Sequence, residues 1–599
     1  MSAGALGLAA VSGSTALGSL ALGGGAAHAN PDGSGATAIV IGSGFGGAVA
    51  ALRLGQAGIR TTVFERGRRW PIRADGKTFA SMTAPDKRSS WFSGHAGVNS
   101  TLSIPVGKYP GLQDRIVGNG IEAVYGAGVG GGSLAFGAFA PQPRRRDFER
   151  EFPAGVDYSE LARTYYRRAK KMLRTAPLPA DILAHPRYVG ARTWLNTVER
   201  YRPDDISFFD YAIDWDIVRQ EIAGTKPASI INGELTYGVN SGAKNSVDHN
   251  YLPAAEATGF VTVKPMHEVF EIRPRTRGRG FIVTARVIDD AHRTVRTVTQ
   301  EADYLFLGAG SYHTTSLLVK ARARGHLPHL SGHVGEGYGT NGDFLVVRLN
   351  PSDDTGLVQG GPGYARIYED DLPEGPVAIV YQATPLPSPL GKISTTHLVQ
   401  AHTEERGSVD YNRTTGDTTL NYPFPAERSQ LDRQAIAFIN RFRQRTEGRF
   451  GRPANGVPVY SRATGFGSGS TYHGLGGVVM GKSGHSRRCG EGLRESVRRR
   501  RVTDARRRRV GQPSAHDHRI CRASARPLPR LSLSEPASRG GDVSLSNVLR
   551  HIATRVGRWG ALLPCARPVV TAMPGNAGRD KQCGSRRNHQ ISPPSYRSV

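Results

Sequence analysis

Apolar residues near the start of the chain form short runs separated by a glycine-rich turn and a helix-forming stretch. Residues 38–41 are consecutive apolar residues, a pattern typical of a strand buried in a parallel sheet. Residues 42–47 are rich in glycine, and residues 48–54 predict a helix. A second apolar run, residues 61–64, ends at Glu65. The pattern therefore predicts strand, turn, helix and strand in that order.

The turn has the spacing G-x-G-x-x-G, in which each glycine has a separate physical role. Gly42 permits the tight turn, Gly44 lets the backbone approach a pyrophosphate, and Gly47 lets the helix pack closely on the strand. Glu65, 18 positions after Gly47, is placed to accept hydrogen bonds from ribose hydroxyls. We predict dinucleotide binding, the alternative being a glycine turn without a ligand.

Two later segments favour FAD over NAD as that dinucleotide. Residues 126–133 form a second glycine-rich stretch, which lets the backbone lie against a flat ring system or a phosphate; a flexible linker is the alternative. Residues 304–311 predict a strand that turns into a helix at Gly310. Together these segments indicate an FAD domain assembled from separated parts of the chain. The predicted cofactor contacts in the second stretch are Gly128, Gly131, Gly132 and Ser133.

Several blocks in this order resemble the glucose–methanol–choline (GMC) oxidoreductase family and, within it, the bacterial cholesterol oxidases. The blocks are residues 39–47, 85–92, 128–134, 304–311, 334–342 and 472–481. The Asp-Lys-Arg-Ser-Ser-Trp-Phe sequence at residues 86–92 is more specific than any glycine turn. The resemblance covers residues 36 to 482 and implies an α/β fold, in which a discontinuous Rossmann-like FAD-binding domain is interleaved with a substrate domain on a mixed β-sheet.

The resemblance also implies domain boundaries. The FAD-binding domain would comprise residues 36–72, 107–140 and 245–335, with the backbone around Val269 closing over the adenine. Further contacts with FAD would come from Ser43, Phe45, Gly46 and Gly310. The substrate domain would comprise residues 73–106, 141–244 and 336–482, and would hold a 3β-hydroxysteroid in an apolar cavity.

Three positions bear on the chemistry that the resemblance implies. His473 occupies the place of the active-site histidine of the family, which takes up the hydroxyl proton during alcohol oxidation. Gln382 stands where these enzymes carry the glutamate that isomerises the steroid, and an amide is too weak a base for that step. Glu374 is the alternative base. Phe136 stands where the family usually has an asparagine, which would change a contact with the flavin ring.

The implied function is oxidation of the 3β-hydroxyl of cholesterol or a related sterol, with O₂ as acceptor and hydrogen peroxide as product. The isomerase step is expected to be weak or absent. Oxidation of another alcohol is one alternative, and a flavin- or steroid-binding protein without activity is another. The expected partners are the sterol, O₂ and, transiently, the membrane that supplies the sterol. We expect no metal and no specific nucleic acid partner, and the sequence leaves the oligomeric state open.

The first 29 residues contain no charged side chain and end in Ala-His-Ala, which is typical of the cleavage site of a secretory signal. The usual basic start of such a signal is missing. A membrane anchor is the alternative, but glycine and serine interrupt the apolar run well short of the ~20 residues that span a bilayer. The expected location is therefore outside the cell or at its surface.

Positive charge is concentrated at the end of the chain. Residues 483–599 carry 25 lysines and arginines against 7 acidic residues, a net charge of +18, whereas the preceding part carries 53 against 43, or +10. All four cysteines lie in this tail, at spacings that match no zinc or redox motif, and the tail contains no phenylalanine. It lacks the proline turn and Asn-Pro pair that complete the FAD domain in the family. We interpret the tail as a product of a shifted reading frame and expect it to be disordered, the alternative being a basic segment that binds phosphates.

Overall fold

The computed structural model describes residues 35–97, 103–349, 354–373, 375–383, 390–450, 457–461 and 469–483. The predicted signal segment (1–29), Glu374 and the tail after residue 483 lie outside the described residues. Among those that are described, no helix is both long enough and apolar enough to cross a bilayer.

In the first half of the chain a group of strands is followed by a run of helices, after which the strands resume. In chain order the strands are β1 (Thr37–Ile41), β2 (Arg60–Phe64), β3 (His95–Gly97), β4 (Ser103–Pro105), β5 (Gln113–Val117), β6 (Ile121–Gly126), β7 (Val261–Lys264), β8 (His267–Pro274), β9 (Phe281–Ile288), β10 (Thr294–Ala302), β11 (Tyr304–Leu307), β12 (Glu336–Tyr338), β13 (Asp343–Leu349), β14 (Tyr364–Glu369), β15 (Val377–Gln382), β16 (Ser394–Ala401), β17 (Gly407–Asn412), β18 (Asp417–Asn421), β19 (Val457–Ser461) and β20 (Gly469–Thr471).

The helices range from single turns to one of 27 residues. They are α1 (Phe45–Gln56), α2 (Arg145–Glu151), α3 (Tyr158–Glu160), α4 (Tyr166–Met172), α5 (Ala180–Ala184), α6 (Val189–Tyr201), α7 (Trp215–Ile222), α8 (Tyr251–Glu256), α9 (Ser311–Ala323) and α10 (Phe424–Phe450). A π-helical turn, Leu161–Tyr165, joins α3 to α4. Short 3₁₀ helices are Lys87–Ser89, Gly131–Leu134, Pro186–Tyr188, Pro203–Asp205, Ile230–Asn232 and Leu390–Ile393.

The first sheet is parallel throughout and has the strand order β11-β1-β2-β7. Strand β1 is buried on both faces, as its unbroken apolar run predicts. Val40 packs with α1 and α8 in one cluster, whereas Ile39 packs in a second cluster with residues of α9 and of the antiparallel sheet β10-β9-β8. This is the predicted Rossmann-like unit, and the α/β fold class is confirmed.

The second large sheet has the order β14-β15-β16-β13-β19, and every described pair in it is antiparallel. We expected a mixed sheet at this place. Strands β14, β15 and β16 follow one another in the chain, and the connections between them, residues 370–376 and 383–393, are shorter than the dozen or more residues of a parallel crossover. One face of the sheet packs on α6 and α10, where Ile379 and Val399 share a cluster with Trp194 and Phe438.

Two smaller sheets position residues that matter for the site. Strand β20 runs parallel to β6, which is also paired with β5, so this sheet is mixed. The sheet β12-β17-β18 packs beside α9, with Tyr312 and Tyr338 in one apolar cluster. The pairing of β20 with β6 brings residues 469–471 to the part of the chain that precedes the second glycine-rich segment.

Candidate active site

Three glycine-rich segments meet at the carboxyl end of the parallel sheet. A Cβ atom on Gly131 would lie 2.7 Å from Gly44 Cα, and one on Gly42 would lie 2.6 Å from the carbonyl oxygen of Gly308. Gly42 has φ +89°, which favours glycine. The turn after β1 therefore approaches two other places closely only because side chains are absent: the first residue of the 3₁₀ helix at residues 131–134, and the residue that follows β11.

Helix α1 lies close to β1 for the same reason. A Cβ on Gly47 would lie 1.8 Å from the carbonyl oxygen of Gly42, a distance at which the helix would have to move. The helix begins at Phe45, immediately after its N-cap Gly44, and no side chain caps its first turn within the described part of the chain. Its first N–H groups are thus available to an anion such as a pyrophosphate.

Ser43 and Glu65 connect the first two glycine segments. The carboxylate of Glu65 accepts hydrogen bonds from the Ser43 amide (3.0 Å), from Ser43 Oγ (2.7 Å) and from the Gly67 amide (2.8 Å). Ser43 Oγ in turn accepts a bond from the Gly130 amide at 3.0 Å. Glu65, predicted to bind ribose hydroxyls, therefore also fixes the loop. With three of about four acceptor sites used, it retains room for one hydroxyl.

The segment that follows the second glycine stretch is held by a buried lysine. Lys244 Nζ donates to three carbonyl oxygens, those of Leu134 (2.9 Å), Phe136 (2.9 Å) and Leu235 (2.5 Å). Phe136 packs edge-on against Phe45 at the start of α1, with ring centroids 5.3 Å apart. Ser133 Oγ donates to the Gly130 carbonyl and accepts from the Val247 amide.

The site leaves space where a cofactor would approach. Gly132 is exposed, and a Cβ there would meet no atom within 4 Å. Gly44 has neighbours only at 3.8 Å and beyond. Gly46 lies in the first turn of α1, and Gly128 has φ +158° in the bend before the 3₁₀ helix. An uncapped helix start, an acidic residue at the end of β2 and open glycines fit a bound dinucleotide.

Two other predicted contacts lie at the edges of this region. Gly310, with φ +81°, is the N-cap of α9, and a Cβ on it would lie 3.6 Å from the Tyr125 ring. Val269 lies in β8, close to the turn at which the His267 amide donates to the Glu65 carbonyl oxygen at 2.8 Å. The β7–β8 turn thus adjoins the segment that carries Glu65.

A buried charged cluster lies beside the same segments. Asp114 Oδ2 is 2.6 Å from Arg66 Nη1 and 3.0 Å from His313 Nε2. Burial opposes ionisation of Asp114, but Arg66 and His313 outweigh it and hold the pKa of this carboxyl well below its usual range. Burial, with Arg66, lowers the pKa of His313. The cluster links the residue after Glu65 to the first turn of α9.

His473 lies two residues after β20 and contacts a carboxylate. Its Nδ1 atom is 2.5 Å from Asp343 Oδ2, and the side chains are 38% and 14% exposed. The backbone amide of His473 donates to Thr471 Oγ1 at 2.9 Å. Burial lowers the pKa of His473, but the Asp343 charge and hydrogen bond more than reverse this, so the pKa is raised above 6.5.

The surroundings of His473 connect it to the glycine-rich region. A Cβ on the next residue, Gly474, would lie 2.2 Å from Tyr125 Oη and 2.3 Å from Tyr338 Oη. These hydroxyls are hydrogen-bonded to each other at 2.7 Å. Since the Tyr125 ring also adjoins Gly310, one aromatic side chain separates the histidine segment from the start of α9.

Comparison with known proteins gives this arrangement a family context. Residues 40–96 match the NAD(P)-binding Rossmann-like domain family. A cholesterol oxidase from Mycobacterium tuberculosis is 30% identical over 331 residues, which cover 53% of this chain and 54% of that protein. An uncharacterized GMC-type oxidoreductase from the same organism is 30% identical over 299 residues, covering 50% of this chain and 40% of that protein.

The chain is thus similar to proteins named cholesterol oxidase and GMC-type oxidoreductase. Its match spans about half the length of the curated relatives, 54% and 40% of these two. Together with the parallel sheet, the relatives confirm the predicted resemblance, the α/β class and FAD as the predicted cofactor. A solved fungal aryl-alcohol oxidase is 12% identical, with a TM-score of 0.45, over 71% of this chain and 84% of that one.

Gln382 lies at the end of β15, on the sheet that carries Asp343. The register pairs Asp343 with Gln400 on β16, and Gln400 with Ala378 on β15. Gln382 is four residues beyond Ala378, so it faces the same side of the sheet, roughly 13 Å further along at about 3.3 Å per residue. The register thus places Gln382 on the face of the sheet that carries Asp343, the residue that contacts His473.

Sequence reasoning missed the contribution of Asp343 and Lys244. Asp343 directly follows the family-like block at residues 334–342, so its position beside that block was the signal available. Lys244 gave no signal, because its role depends on burial (it is 3% exposed) and on carbonyls 9 to 110 residues away.

Proposed function

We propose that this protein is an FAD-dependent alcohol oxidase acting on the 3β-hydroxyl of cholesterol or a related sterol. The products would be the 3-ketone and hydrogen peroxide, with O₂ as acceptor. The observation that carries the proposal is the position of His473, paired with Asp343 and placed by the β20–β6 pairing beside the glycine-rich region.

Some residues of the candidate site would bind the cofactor, and His473 would transfer the proton. The first turn of α1 would hold the pyrophosphate, Glu65 the ribose, and the open backbone at Gly132 a flat ring. Bound there, FAD would supply the acceptor for the hydride of the carbinol carbon. His473 Nε2 takes the hydroxyl proton, since Nδ1 is directed at Asp343. Positioned proton transfer of this kind contributes about 10²–10⁴-fold to a rate.

The sterol substrate is supported by the identity to the cholesterol oxidase of M. tuberculosis, which is 30% over half of each chain. The alternative is another alcohol oxidised at the same site. Purified full-length protein should be assayed for peroxide with cholesterol, other 3β-hydroxysteroids, and primary aliphatic and aryl alcohols. Faster turnover of 3β-hydroxysteroids than of the other alcohols supports a sterol as the substrate. Preference for a non-steroid alcohol supports an alcohol oxidase and contradicts the sterol as its substrate.

His473→Gln is the variant that tests the site itself. It should retain flavin and lose about 10²-fold or more in kcat, because the proton loses its acceptor. His95→Gln is the matched control, since His95 is exposed on β3 and should leave turnover unchanged. Equal activity of His473→Gln and the parent protein would contradict the assignment.

A flavin- or steroid-binding protein without turnover is the second candidate. It is favoured by the sequence after residue 482, which does not resemble the segment that completes the FAD domain in the family. If the protein binds flavin stoichiometrically and no alcohol reduces that flavin, the protein is a binding protein without turnover. Reduction of the flavin by any alcohol excludes this second candidate.

We also propose that the protein is exported and meets its sterol at a membrane surface. The support is the uncharged, Ala-His-Ala-ending stretch at residues 1–29. Fractionation of an expressing culture checks export, and cosedimentation with cholesterol-containing vesicles checks the membrane contact. Protein retained in the cytoplasm with residues 1–29 uncleaved would contradict export.

A further inference from the structure

One carboxylate in the candidate site contacts the proposed proton acceptor and has not yet been assigned a role of its own. Asp343 is the first residue of β13, and its Oδ2 atom contacts Nδ1 of His473, 130 positions later in the chain. A carboxylate accepts hydrogen bonds and does not donate them, so Nδ1 must carry the proton. Nε2 of the neutral ring is then the free acceptor.

We propose that Asp343 is a positioning residue that fixes the tautomer and orientation of His473, so that Nε2 receives the hydroxyl proton of the substrate. This inference rests on the proposed function, because it assigns His473 as the proton acceptor. In the step itself the substrate O–H bond breaks, an Nε2–H bond forms, and the carboxylate offsets the positive charge that develops on the ring.

Further hydrogen bonds fix the positions of both Asp343 and the segment that carries His473. The second oxygen of Asp343, Oδ1, lies 3.3 Å from Asn341 Nδ2 and 3.5 Å from Gln400 Nε2. On the histidine side, Leu475 and Gly339 exchange two backbone hydrogen bonds of 2.9 Å each, which connect the histidine segment to the residue that follows β12. The contact is therefore part of a constrained geometry rather than one rotamer of two free side chains.

The other ionisable groups around the pair are tyrosines, a buried glutamate and an arginine. Burial raises the pKa of Tyr125 to about 12, and burial, with Tyr125, raises the pKa of Tyr338 well above its usual value. Glu427, on α10, accepts bonds from Thr340, Thr403 and Tyr422, and burial raises its pKa, to which Asp343 also contributes. The arginine is Arg406, whose side chain would lie 3.3 Å from a Cβ on Gly339. Asp343 is the only one of these described groups in direct contact with the imidazole.

The contact between Asp343 and His473 predicts how activity depends on pH. The pKa of His473 is raised, so the ring is protonated and unable to accept a proton below that pKa. Activity must therefore rise as pH rises through a value above 6.5. Removing the Asp343 charge removes what raises the pKa, so the acid limb of the pH profile must move to lower pH.

The first test measures the titration of His473 in full-length protein without turnover. Histidine ring nitrogens are labelled with ¹⁵N, and the His473 signal is identified by its loss in His473→Gln. In the parent protein we expect a pKa above 6.5 and the proton on Nδ1 of the neutral ring. In Asp343→Asn we expect a lower pKa and loss of the single tautomer. An unchanged pKa and tautomer in Asp343→Asn overturns the proposal.

The second test is kinetic. In Asp343→Asn the acid limb of kcat/KM should move to lower pH, and kcat should fall about tenfold or more with a smaller change in KM, because the ring is less well oriented. Asp417→Asn, an exposed aspartate paired with Lys320, is the matched control and should leave the limb in place. Asp343→Glu, which restores the charge, should return the limb toward its original position.

The variant Glu427→Gln distinguishes the effect of Glu427 from that of Asp343. It should shift the acid limb of the pH profile less than Asp343→Asn does. A limb that shifts in Glu427→Gln but not in Asp343→Asn contradicts the proposal. If the parent protein oxidises no alcohol, the proposed function fails, while the nitrogen titration still decides whether Asp343 controls the tautomer of His473.

Discussion

A neutral amide has no useful basicity near neutral pH, whereas a carboxylate of nearly the same length and shape accepts protons readily. This difference applies to Gln382, which lies on the same face of the second sheet as Asp343. A residue at this place can contact a bound substrate, but as an amide it can only donate or accept hydrogen bonds. It cannot abstract a proton from carbon.

We predict that the protein converts a Δ5-3-ketosteroid to its Δ4 isomer slowly, and that Gln382→Glu raises this rate by about 10²-fold or more. The measurement is the formation of the conjugated ketone from purified Δ5-3-ketosteroid. Gln56→Glu, at the exposed end of α1, is the control and should change nothing. Rapid isomerisation by the unaltered protein would contradict the prediction.

At the scale of elements, glycine residues determine how closely the cofactor segments approach. Gly47 is needed for contact between α1 and the turn after β1, because a side chain there would overlap the Gly42 carbonyl. Gly132 differs: it is exposed, and a methyl group there would touch nothing in the described chain within 4 Å. The first glycine serves packing, whereas the second leaves space.

This contrast predicts that stability and flavin binding separate in two alanine variants. Gly132→Ala should unfold at the same temperature as the parent protein and bind flavin about tenfold more weakly, equivalent to ~1.4 kcal/mol. Gly47→Ala should lose about 1–3 kcal/mol of unfolding free energy from overpacking, and flavin with it. Thermal unfolding of the flavin-free proteins, together with flavin titration, checks both. If Gly132→Ala binds flavin as tightly as the parent protein, the flavin ring does not lie against Gly132.

The scale of the whole molecule shows which features the sequence can predict. Strands β1, β2 and β11 and helix α1 were predictable because each depends on a run of neighbouring residues. The family blocks added the order of these parts. The local patterns therefore predicted the cofactor region better than the site beside it.

Contacts between distant segments were not predictable in this way. The pairing of β20 with β6 joins residues about 350 positions apart, and the Asp343–His473 contact spans 130. No local period encodes either one, since both arise only when the sheets are assembled. The antiparallel course of the second sheet was missed for the same reason: strand direction depends on the connections, whereas the alternation of buried residues does not.

The most direct test of the proposed function is anaerobic reduction of the bound flavin by cholesterol. Full-length protein loaded with FAD is mixed with cholesterol in detergent micelles without O₂, and the visible flavin absorption is followed. The 3-methyl ether of cholesterol, which has no hydroxyl proton to transfer, is the matched control. We expect cholesterol to bleach the flavin, the ether to leave it oxidised, and admission of O₂ to restore the colour with release of peroxide. Flavin that is fully bound and stays oxidised with cholesterol would contradict the assignment of this protein as a sterol oxidase.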